Sequence, residues 1–131
     1  MMASMSPVFW LALGLAGAVG ATARFSLNYW MMQWFGRDFP WGIFSINILG
    51  SFLMGFLGIL LMSKLHWPEP WRIVVLTGFL GAFTTFSAFS IDALTLIERA
   101  DWLRAFLYIV GSVAFALLAA RGGMLLAERM L

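Results

Sequence analysis

The chain has 131 residues, 63% of them hydrophobic and only 11% charged, against roughly 25% charged in a soluble domain. That balance identifies an integral membrane protein, and a formal net charge of +2 leaves few charges to place. With no cysteine, disulfides, thiolate metal sites and cysteine nucleophiles are excluded.

Uncharged stretches run from Met1 to Ala23, Phe39 to Ser63, Ile73 to Ile91 and Ala105 to Ala120. A membrane-crossing helix needs about 20 apolar residues. The last stretch is short, but its flanks extend it if Arg121 carries its charge to the interface along its aliphatic stem. The expectation is an all-α membrane protein, one domain over 1–131, with transmembrane helices at approximately 8–34, 41–62, 72–97 and 102–127. Trp34, Trp41, Trp67, Trp71 and Trp102 fall at the span ends, where interfacial tryptophans anchor. The short connections leave no room for a soluble domain.

The first span contains Ala16-Gly17-Ala18, which resembles a signal-peptide cleavage site. Residues 1–9 carry no Lys or Arg, however, and the apolar run continues to Phe35, so it is expected to be retained. This span is rich in small residues (Gly14, Gly17, Ala18, Gly20, Ala21) and carries Arg24 near its far end. The second span has Gly50, Ser51, Gly55 and Gly58. Small residues four apart, such as Gly17 with Ala21 or Ser51 with Gly55, let helix backbones approach closely in lipid. Asn47 lies inside this span, far from any charge. An amide there must face protein or water, as interhelical glue or as part of a polar path. In the loop that follows, His66 beside Trp67 and Pro68 is expected to be solvated.

Residues 78–90 of the third span, Gly-Phe-Leu-Gly-Ala-Phe-Thr-Thr-Phe-Ser-Ala-Phe-Ser, are the most informative of the chain. Glycine in a helix costs about 1 kcal/mol relative to alanine, and paired threonines weaken the helix further. A helix broken near its middle is therefore expected. Irregular backbone at membrane depth survives only where protein, water or an ion satisfies it, so the break suggests an ion site. Phe86 and Phe89 share a helix face. They either pack or turn the positive edges of their rings toward a partly dehydrated anion. Asp92 follows, and could pair with Arg24 on the same membrane side. In the fourth span Tyr108 and Ser112, one turn apart, either line a polar track or bond to a neighbouring helix.

Four crossings divide the basic residues evenly. Lys64, Arg72, Arg121 and Arg129 lie on one side, and Arg24, Arg37, Arg99 and Arg104 on the other. Lys/Arg bias sets orientation, so an even count gives none and permits an antiparallel, dual-topology homodimer.

Three segments in order resemble the Fluc/CrcB family of fluoride channels. They are Gly17-Ala18-Val19-Gly20-Ala21-Thr22-Ala23-Arg24-Phe25, Ile46-Asn47-Ile48-Leu49-Gly50-Ser51-Phe52, and Gly81-Ala82-Phe83-Thr84-Thr85-Phe86-Ser87-Ala88-Phe89-Ser90. Ala82, Asp92 and Ile43 depart from the family pattern, where glycine, glutamate and threonine are usual. The resemblance implies an antiparallel homodimer in the bacterial plasma (inner) membrane that lets fluoride leave the cell passively. It also implies a structural Na⁺ at the dimer centre, held by the backbone carbonyls of Gly81 and Thr84 from both copies. Asn47, Phe86 and Phe89 would line the anion pathway, with Tyr108 and Ser112 contributing and Arg24 at its entrance or paired with Asp92. An exporter of the small multidrug-resistance type would need a carboxylate in the first span, where this chain has Arg24 and no Asp or Glu. A non-transporting assembly subunit would explain the glycines and tryptophans, but not Asn47 together with the third span. No catalytic constellation points to an enzyme.

Overall fold

The computed structural model describes residues 5–130, and among them there are helices and no strands. Helix α1 runs Pro7–Phe35. Its start is set by Ser6, whose hydroxyl accepts from the Phe9 amide at 3.2 Å, with Pro7 pre-set for the first turn. It stops at Gly36, whose φ of 81° suits a residue without a Cβ. Helix α2, Trp41–Ile59, continues as a π-helical turn, Leu60–Lys64, closed by the Leu65 amide on the Leu60 carbonyl at 3.0 Å.

The third crossing, Glu69–Glu98, is built in pieces. It begins after Pro68 with α3, Glu69–Ile73, and proceeds through a π-helical segment, Val74–Leu80, into the short α4, Gly81–Phe83. Thr84 (φ −81°, ψ 157°) and Thr85 (φ −153°, ψ 123°) have extended backbone, and α5 starts at Phe86 and runs to Glu98. At its end the amides of Ala100 and Asp101 return to the Ile97 and Leu96 carbonyls at 2.9 and 3.0 Å, a Schellman closure with Ala100 in the left-handed region at φ 56°. Helix α6, Trp102–Arg129, is capped by Asp101, which accepts from the Arg104 amide. The Arg104 guanidinium at 2.9 Å holds the Asp101 carboxyl below its ordinary range.

Each crossing is long and apolar enough to span a membrane. Helices α2 and α6 pack most extensively, and glycine permits it. A Cβ on Gly55 would strike the Ala120 carbonyl, and one on Gly123 the Phe52 carbonyl. On the other flank α1 lies against the first half of the third crossing, where a Cβ on Gly20 would strike the Phe79 carbonyl. Two small cores result: Ile43, Ile46 and Phe83 between α2 and the third crossing, and Ala93, Leu96, Ala105 and Tyr108 between α5 and α6. The five end tryptophans are exposed, as are the outward leucines, valines and phenylalanines of α1 and α6.

Candidate functional site

Asn47 reaches across to the extended pair. Its amide Nδ2 donates to the Thr85 carbonyl at 3.0 Å, and the Thr85 amide donates to Asn47 Oδ1 at 2.8 Å. The side-chain amide thus pairs with a backbone residue as a neighbouring strand would, satisfying both polar groups of Thr85 at membrane depth. Thr85 then caps α5, its hydroxyl accepting from the Ala88 amide at 3.2 Å. The Thr84 hydroxyl bonds back to the Leu80 carbonyl at 3.0 Å.

These bonds redirect the backbone. In an uninterrupted α-helix the Thr85 amide would donate to the Gly81 carbonyl, and the Ala88 amide to the Thr84 carbonyl. Both donors are instead taken by side chains, Asn47 and Thr85. Gly81 is exposed and Thr84 half-buried near the middle of the crossing. Two carbonyl oxygens without their helical donors suit a hard cation, which takes oxygen ligands. The described residues contain no group of His, Cys, Asp or Glu that could hold a metal.

Beside this segment lies a cavity of about 370 Å³ between α2, the Thr84–Phe86 turn, α5 and α6. Asn47, Thr85, Phe86, Phe89 and Ser112 all line it. The Phe86 and Phe89 rings are 5.5 Å apart at 40°, Phe86 being 79% exposed while Phe89 leans on Tyr108 at 5.2 Å. The Ser112 hydroxyl is buried at the cavity wall with no hydrogen-bond partner. Asn47 and Ser112 thus stand in this wall beside the Phe86 and Phe89 rings, the Asn47 amide with one N–H not spent on Thr85 and the Ser112 hydroxyl unpartnered.

The remaining sequence candidates stand apart from that cavity. Tyr108 is fully buried, and its hydroxyl donates to Asp92 Oδ2 at 3.2 Å. Asp92 faces a second cavity, also about 370 Å³, nearer the membrane edge, with Asn28, Arg37, Asp38, Thr95 and Arg99. Arg24 is half-buried on α1 and belongs to neither ion pair of the described residues, which are Arg104–Asp101 and Arg121–Glu128. Asp92 is therefore held by Tyr108 rather than by Arg24. Sequence reasoning gave Thr85 a part in weakening the helix but not the capping role it has here, although a threonine just ahead of an apolar helical run is an N-cap signal.

The sequence matches the family described as CrcB-like protein, Camphor Resistance (CrcB), over residues 11–124. A protein of Magnetococcus marinus named fluoride-specific ion channel FluC is 47% identical over 117 residues, covering 89% of this chain and 94% of that protein. Proteins of the same name from Rhizobium meliloti and Phenylobacterium zucineum are 42% and 46% identical over 120 residues. The alignments cover 92% and 91% of this chain, and 96% and 94% of those proteins.

Proposed function

The chain belongs to the CrcB-like family, and on that footing we propose that it is a fluoride-selective channel allowing passive efflux of the anion. Hydrogen fluoride crosses a bilayer as a neutral acid, ionises at the higher internal pH and is trapped. A path for the anion lets it leave down its gradient without a coupled energy source.

The observation that carries this reading is the convergence of Asn47, Ser112, Phe86 and Phe89 on one cavity beside the extended Thr84–Thr85 pair. An anion leaving water must recover donors from the path, and must be held weakly enough to leave again. A neutral amide N–H, a hydroxyl without a partner and aromatic edges meet both needs, where a lysine at the same depth would trap the ion. The name carried by relatives at 42–47% identity supports fluoride as that anion.

The assembly belongs to the same proposal. The working unit is an antiparallel homodimer in the bacterial plasma (inner) membrane, supported by the even Lys/Arg split and by the exposure of Gly81 and Phe86 on a single chain. At its centre Gly81 and Thr84 of both copies would hold a structural Na⁺ through their carbonyls. That ion would supply a fixed positive charge joining the two subunits. Arg24, half-buried and in neither ion pair of the described residues, would face the anion's entrance.

The test is efflux from liposomes carrying the purified protein. Fluoride is expected to leave rapidly and chloride to be largely retained. Equal rates for the two ions would sink the fluoride reading, and proton-coupled release of an organic cation would replace it with an exporter.

A further inference from the structure

Asn47 spends half of its hydrogen-bonding capacity on one backbone residue. Its amide binds both the N–H and the C=O of Thr85, at 2.8 and 3.0 Å. A residue serving only as an anion ligand has no need of that geometry. The consequence falls on Gly81, whose carbonyl would accept the Thr85 amide if the helix ran on. Thr85 repeats the arrangement one turn along, its hydroxyl taking the Ala88 amide that the Thr84 carbonyl would otherwise receive, at 3.2 Å. The packing around the turn is tight, since a Cβ on Gly50, one turn beyond Asn47, would strike the Thr84 methyl group. The turn is thus fixed from the α2 side.

We infer that Asn47 is a positioning residue for the cation site: by holding Thr85 it keeps Thr84–Thr85 extended and leaves the Gly81 and Thr84 carbonyls open to sodium. The inference rests on the sodium reading above and adds a coupling to it. The side chain that lines the anion cavity also maintains the oxygen cage at the dimer centre. Loss of Asn47 releases the Thr85 amide, and the crossing can close toward continuous helix with the Gly81 carbonyl taken up internally.

Two readouts test this without using flux. The first is thermal unfolding of the purified protein in sodium against N-methylglucamine. Wild type is expected to melt several degrees higher in sodium. Asn47→Leu, similar in size and unable to hydrogen-bond, is expected to lose that difference. Asn47→Asp, which keeps the acceptor for the Thr85 amide but loses the donor, is expected to retain part of it, and it serves if the leucine variant does not fold. A full sodium response in both variants would overturn the inference and leave Asn47 as an anion ligand only. The second readout is hydrogen exchange over residues 84–88, where Asn47→Leu is expected to change amide protection. A wild type indifferent to sodium would remove the sodium reading itself, and exchange would then decide the backbone role alone. Unchanged exchange in Asn47→Leu refutes that role.

Discussion

A serine or threonine hydroxyl inside a membrane helix ordinarily bonds back to the carbonyl four residues earlier. Thr22, Thr84, Ser90 and Thr95 all do so, at 2.7 to 3.0 Å, whereas Ser112 is buried with its hydroxyl unpaired. An unsatisfied buried hydroxyl costs about 1–3 kcal/mol, so Ser112→Ala is expected to leave stability unchanged or raise it. The same substitution removes a donor from the cavity wall and is expected to lower fluoride flux several-fold. Lost stability with intact flux would make Ser112 ordinary packing. The two phenylalanines divide along similar lines. Phe89 packs against Tyr108 and the α5–α6 core, while Phe86 lies 79% exposed. Phe86 has few contacts within one chain but is covered in the proposed dimer, so Phe86→Ile and Phe89→Ile, which roughly preserve volume, are each expected to cost under about 1.5 kcal/mol in thermal unfolding. If ring edges face the anion, both variants lose flux as assembled dimers; normal flux through both would remove the aromatic part of the mechanism. These residues could be picked out in the sequence because polar groups and paired aromatics are conspicuous in an apolar run. Their connection could not, since Asn47 and Thr85 are 38 positions apart and no local pattern carries a contact between elements.

Among elements, the glycines separate into those that meet another backbone and those that face open space. Gly20 meets the Phe79 carbonyl and Gly123 the Phe52 carbonyl, while a Cβ on Gly14 would meet nothing within 4 Å. A methyl group pressed against a carbonyl cannot be relieved by a rotamer change, so the helices must part. Gly20→Ala and Gly123→Ala are therefore expected to destabilise by about 1–3 kcal/mol. Gly14→Ala is expected to be neutral or stabilising by up to about 1 kcal/mol, because alanine is the better helix former. Thermal unfolding of the three variants in one detergent checks the contrast, and equal effects would show that helix propensity rather than packing governs these sites. The four crossings are legible from charge spacing alone, because lipid leaves few places for a charge. The π-helical segments Leu60–Lys64 and Val74–Leu80 are not. Their apolar composition fits any helical pitch, and Val74–Leu80 lies against α1, where Gly17 and Gly20 approach the Gly78 and Phe79 carbonyls.

For the molecule as a whole, orientation and function are one question. Each crossing reverses the chain, so Lys64, Arg72, Arg121 and Arg129 lie on one side and Arg24, Arg37, Arg99 and Arg104 on the other. The insertion machinery reads Lys/Arg bias near span ends, and this chain offers it none. A small imposed bias should therefore decide the matter. Two or three arginines added after Glu128 are expected to drive nearly every chain to one orientation, and the same number placed in the 36–40 loop to drive it to the other. If two opposed copies build the channel, either biased variant alone is expected to yield membranes without fluoride efflux, although each chain inserts and folds. Co-expression of the two is expected to restore it, since a dimer can again form about an axis in the membrane plane. The measurements are accessibility of a single C-terminal tag on each side and fluoride release from vesicles of the same membranes. A chain shown to sit in one orientation that still releases fluoride at the wild-type rate would contradict the antiparallel arrangement. The Gly81 and Thr84 carbonyls of opposed copies would then have no common axis on which to meet.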